Sequence, residues 1–97
     1  MPYALREGSS GLLLACMQIN GYQLPYYGVV LWETQPEEEA ITAALLKADQ
    51  RDPSLVWQPV ELTEHQAKMA NVKLRNDPRR QVFLVDQTIS VTQIQPM

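Results

Sequence analysis

The spacing of apolar and polar positions changes along the chain, and with it the secondary structure it predicts. In the first third, apolar residues fall in runs that suit strands, over residues 3–6, 12–19 and 22–33. Asn20-Gly21 separates the second run from the third, and this pair is favoured in two-residue hairpin turns because both residues tolerate positive φ. Gly8-Ser9-Ser10-Gly11 supplies the turn before it. The reading is a three-stranded antiparallel meander, with Pro25 at an edge or bulge because it has no N–H to give to a ladder.

From Thr34 the period lengthens. Thr34-Gln35-Pro36-Glu37 has the form of a capping box, and Ile41, Ala44, Leu45 and Ala48 then share one helical face. Glu37, Glu38 and Glu39 place negative charge where a helix dipole favours it. This helix is expected to stop near Gln50, before Asp52-Pro53. Residues 55–62 mix β-branched, aromatic and polar side chains over a strand's length, with Pro59 marking an edge or an early break. Thr63-Glu64-His65-Gln66 is a second capping box, opening a helix to Asn76 with Ala67, Ala70 and Leu74 on one face. Asp77-Pro78 closes it, Val82-Phe83-Leu84-Val85 reads as a buried strand, and residues 88–94 read as a last one.

The order β-β-β-α-β-α-β(-β) gives an α+β fold in one small domain, residues 1–97. If the strands flanking each helix run parallel, right-handed crossovers build a mixed sheet of five or six strands, with the amino-terminal meander as its antiparallel part. The two Thr-headed helices stopped by Asp-Pro are recurrent boundary chemistry and not a duplication, because their lengths and faces differ.

Composition narrows the setting. With 97 residues, 45% of them apolar and 20% charged, the chain supports one hydrophobic core. Its apolar runs fall well short of the roughly 20 residues that cross a bilayer, so no membrane partner is expected. No cationic leader precedes an apolar stretch with a cleavage site. A single cysteine, Cys16, allows neither an internal disulfide nor a structural zinc site, which points to a reducing, cytoplasmic compartment. The net charge of −3 is unevenly spread: residues 1–64 carry nine acids and three bases, residues 65–97 five bases and two acids.

Three groups of residues invite a chemical reading. Glu33 and Glu61 each end a predicted strand ahead of a helix, and Glu64 and His65 open the second helix. Parallel strands would bring them to one rim of the sheet, where open α/β sheets bind ligands, as a small-ligand or metal site or an acid/base pair. Acids at helix starts are nevertheless favoured by the dipole alone, so no catalytic residue, metal or cofactor is assigned. Lys73, Arg75, Arg79 and Arg80 could meet phosphates or an acidic protein. Nucleic acid is disfavoured, since the chain is acidic and lacks any nucleic-acid-reading motif. Tyr26, Tyr27 and Trp32 lie along one strand, where alternation puts Tyr26 and Trp32 on one side and Tyr27 on the other.

Cys16, inside an apolar run and without a neighbouring base, reads as a small buried hydrophobe. There is no glycine-rich phosphate loop, nucleophile elbow, His-Glu-x-x-His helix, calcium loop or Cys-x-x-Cys pair. The sequence therefore favours a non-enzymatic domain that binds protein. It is expected to form a homodimer and to engage a protein partner through the face carrying Tyr26, Tyr27 and Trp32 or through the basic end of the second helix. The alternatives are a ligand-binding protein or enzyme using the rim carboxylates and His65, and a nucleic-acid binder using the basic stretch.

Overall fold

In the computed structural model, which describes residues 1–93, the elements follow the expected order. They are β1 (Tyr3–Glu7), β2 (Ala15–Ile19), β3 (Pro25–Val29), α1 (Glu38–Lys47), β4 (Trp57–Glu61), α2 (Glu64–Leu74), β5 (Arg80–Val85) and β6 (Thr88–Gln93). The class is α+β. Ile94, expected to end the last strand, lies outside the described residues.

The strand pairing differs from the expected mixed sheet. β1 pairs with β4, β2 with β3 and β5 with β6, and all three two-stranded ladders are antiparallel. Residues 12–14 tie them together. Glu7 N–H donates to Leu12 O and Leu14 N–H to Leu5 O on the β1 side, while Leu13 N–H donates to Val82 O and Leu84 N–H to Gly11 O on the β5 side. β4, β1, residues 12–14, β5 and β6 therefore lie side by side, and the β2–β3 hairpin branches from this row where Val30 N–H donates to Leu14 O.

The physical reason β4 does not run parallel beside β3 is that the outer edge of β3 has no free donor. Pro25 has no N–H, the Tyr27 N–H donates to Asn76 Oδ1, and the Val29 N–H donates to Asn71 Oδ1 at 2.9 Å. The chain leaving α1 joins the open side of β1 instead.

The sheet has apolar residues on both faces, and each helix covers one. Strand alternation sends Ala4 and Leu13 to one side, where they pack with Val29, Leu62, Val82 and Leu84 beneath Ala67, Ala70 and Leu74 of α2. Leu5 and Leu14 point the other way, into a smaller cluster with Trp32, Trp57 and the α1 residues Ile41, Ala44 and Leu45. Each fully buried leucine among these contributes about 1.5–3 kcal/mol of transfer free energy. The helical faces read from the sequence are the ones that pack.

The ends of the elements hold the corrections. Thr34 does not cap α1: the helix starts at Glu38, four residues beyond Thr34, and its N-cap is Glu37, with no side-chain hydrogen bond to the helix. Glu38 and Glu39 in that turn supply the favourable charge instead. α1 ends at Lys47 with Asp49 in the left-handed region at φ 57°, and the Asp49 and Gln50 N–H groups turn back to Leu46 O and Leu45 O. Glycine usually takes this position in the motif. The second capping box is present as read: the Gln66 N–H donates to Thr63 Oγ1 at 3.0 Å and the Thr63 N–H to Gln66 Oε1 at 2.9 Å. α2 stops at Leu74, with Arg75 and Asn76 at φ 53° and 55°, so it is shorter than the expected helix to Asn76.

The β2–β3 connection is longer than a two-residue Asn-Gly turn. Gln23 N–H donates to Asn20 O, Asn20 N–H to Leu24 O, and Asn20 Oδ1 accepts from the Tyr22 and Leu24 N–H groups. Gln23 at φ 63° takes the left-handed position, giving the three-residue hairpin loop that is the next most common solution. The two-residue turn occurs elsewhere, at Asp86-Gln87 between β5 and β6, with φ of 52° and 65°. No helix among the described residues is long and apolar enough to cross a membrane.

Candidate functional site

The four rim residues are divided between separate surfaces. Glu33 and Glu64 line one open groove together with Met1 and Pro2. His65 lines another, with Met69, Lys73 and Ile89. Glu61 sits opposite Tyr3 at the end of β4 and is exposed. Tyr3 bridges Trp32 on one side and pairs with Glu61 on the other, so Glu33, Glu61 and Glu64 come to the same end of β1 without parallel strands, while His65 faces a different groove. No group of three or more His, Cys, Asp or Glu side chains is placed to hold a metal ion among the described residues.

The basic stretch is largely occupied with its own chain. Arg79 Nε and Nη2 donate to the two Asp77 carboxylate oxygens at 3.1 and 3.2 Å. The Arg79 hydrogen bonds, with a smaller contribution from the Arg80 charge, hold the Asp77 carboxyl below its usual range. Arg80 Nη1 donates to Lys73 O at 3.2 Å, tying the start of β5 to the end of α2. Arg75 is exposed at the α2 C-cap.

Alternation separates the aromatic residues as expected, and packing then decides their use. Tyr27 and Trp32 are half-buried against the two core clusters, and desolvation pushes the Tyr27 hydroxyl above its ordinary pKa. The Tyr26 ring lies over Gly28, where an added Cβ would meet it at 2.8 Å, and its hydroxyl donates to Gln18 Oε1 at 3.1 Å. Cys16 is buried, and burial raises its thiol pKa, which disfavours the thiolate.

The exposed apolar surface lies one strand over, on β2 and the hairpin loop. Met17 is 49% exposed, Ile19 67%, Tyr22 86% and Leu24 59%. The backbone of β2 is equally open. Asn20 N–H donates to Leu24 O and Val30 N–H to Leu14 O, so antiparallel geometry turns Cys16 and Gln18 toward β3 and turns Ala15, Met17 and Ile19 away from it. No described group donates to or accepts from these outward N–H and C=O groups.

The two edges of one hairpin are thus treated differently. On β3, a proline and two asparagine side chains use up or remove every outward donor. On β2, the segment Ala15–Ile19 carries no charge, proline or glycine, the usual devices that stop a strand edge from pairing. Of the other outer strands, β4 carries Pro59 and Glu61, and β6, which is also uncharged, exposes Thr88, Ser90 and Thr92 where β2 exposes Met17 and Ile19. The sequence reading took residues 12–19 as an interior strand and missed Met17 and Ile19. The available signal was an uncharged alternating strand with a polar Gln18 on its inner face.

Compared with known proteins, the chain matches no family model, no curated protein and no solved structure.

Proposed function

We propose that this is a non-enzymatic protein-binding domain whose contact surface is the β2–β3 hairpin, and that it binds by accepting an extended strand along the outer edge of β2. The supporting observation is the asymmetry of the hairpin: outward donors are capped on β3 and left open on β2, beside exposed Met17 and Ile19. Strand addition takes its affinity from main-chain hydrogen bonds and its specificity from alternate side chains, and β2 offers both. Tyr22 and Leu24 extend the apolar strip beyond the paired segment.

Titrating the protein into a short dye-labelled peptide of alternating threonine and valine, read by fluorescence anisotropy, tests the reading. Saturable binding that is lost in Ile19→Lys, with the variant still folded by circular dichroism, supports it. Absence of binding by the wild-type protein, together with absence of self-association, overturns it.

A further inference from the structure

Resting on the strand-addition reading, we infer that the partner of the β2 edge is β2 of a second copy of the same chain, paired antiparallel about a two-fold axis at Gln18. A strand that pairs antiparallel with its own copy closes a two-fold dimer and leaves no further edge of that kind open. β2 is suited to this because it carries no charge, so self-pairing sets no like charges against each other.

The register follows from what each end of the strand faces. Ala15 borders a small cavity that it lines with Arg80 and Gln81, so β5 crowds the inner end of the β2 edge. No described residue hydrogen-bonds the outward groups of the outer part, from Met17 to Ile19. Only residues whose N–H and C=O point outward can exchange hydrogen bonds across the axis, which sets Met17 of one copy opposite Ile19 of the other and forms about four inter-chain bonds. Met17 and Ile19 share one face of the strand, so this register stacks four exposed apolar side chains on one side of the new four-stranded sheet. Gln18 meets Gln18 of the other copy on the opposite side, where its amide already bonds Gly28 O and Tyr26.

The paired segment is short, so the dimer is concentration-dependent and not permanent. Sedimentation velocity and light scattering across a concentration series, on the wild type and on Met17→Pro, test the inference. Proline at this outward position removes the N–H that would reach the other copy and no hydrogen bond within the chain. The expected result is a wild-type mass that rises toward twice 11.0 kDa. Met17→Pro is expected to associate roughly 5- to 150-fold more weakly, through loss of two inter-chain bonds, with an unchanged circular dichroism spectrum. If Met17→Pro does not fold, Ile19→Lys serves as the second variant and is expected to abolish association.

A wild-type protein that stays monomeric at every concentration while binding the threonine–valine peptide overturns self-pairing and leaves the strand-addition reading standing. A monomer that binds no peptide overturns both. A dimer unaffected by Met17→Pro and Ile19→Lys places the interface elsewhere and overturns the inference.

Discussion

Asn71→Ala tests the capped edge of β3, on which the contrast with β2 depends. Asn71 Oδ1 accepts the Val29 N–H at 2.9 Å, and Val29 is only 3% exposed, so water has little access to replace the lost acceptor. Leaving a buried donor unsatisfied costs about 1–3 kcal/mol. Alanine is the better helix former at this position in α2, which returns about 0.5 kcal/mol. The net loss is then about 0.5–2.5 kcal/mol, or a fall of about 2–20 °C in melting temperature at roughly 4–8 °C per kcal/mol for a domain of this size. Urea unfolding followed by circular dichroism measures the first quantity, and amide exchange localises it. The Val29 N–H is expected to lose protection while the Gly28 N–H, directed toward β2, keeps it. Unchanged stability together with unchanged exchange at Val29 would refute the capped-edge argument.

Thr63→Ala is expected to lower stability by about 0.5–2 kcal/mol through loss of the cap, while Thr34→Ala, whose side chain caps nothing, is expected to leave the urea midpoint in place. Gly11→Ala is expected to be strongly destabilising, because φ is +82° and the new Cβ would lie 2.7 Å from Leu84 O, at the join between β5 and residues 12–14; thermal melting reads the effect. Glu7 is 3% exposed, and hydrogen bonds from the Ser9 hydroxyl and N–H, then from Ser10, depress its carboxyl from 4.5 to about 2. A carboxylate with a lowered folded-state pKa stabilises the fold fully above the unfolded value and loses that contribution as pH falls. Stability is therefore expected to decline between about pH 4.5 and pH 2, and Glu7→Gln to flatten that part of a pH titration of the urea midpoint.

The sequence carried the element order well because that order rests on local signals: alternation in the strands, Ala and Leu at helical spacing, and Asp-Pro stops. The Thr63 box was legible since a capping box is complete within four residues, and Thr34 shows the limit of the same signal. Its pattern has the right letters, yet the helix starts beyond it, and nothing local fixes where a first turn begins. Asn20-Gly21 marked the hairpin correctly and its loop length wrongly, because Gln23 accepts the left-handed conformation that the reading reserved for the Asn-Gly pair. The antiparallel β2–β3 hairpin was legible, but the pairing of β4 and β5 was not. That pairing depends on which edges are closed, and the groups that close β3 lie 42 and 49 residues from the donors they cap. The open β2 edge, and with it the surface of Met17 and Ile19, was hidden for the same reason: an edge is defined by the partners it lacks. The carboxylate and His65 grouping was argued from parallel strands, whereas the structure brings Glu33, Glu61 and Glu64 to one end of β1 by antiparallel pairing and leaves His65 in a separate groove.

Residue-resolved amide exchange on dilute and concentrated samples reads both edges of the hairpin in one experiment. The expected result is slow exchange at the Tyr27 and Val29 N–H groups at every concentration, with fast exchange at Met17 and Ile19 in dilute solution that slows as concentration rises. Protection of Met17 and Ile19 in the dilute monomer would mean that the β2 edge is already covered and would rule out strand addition there.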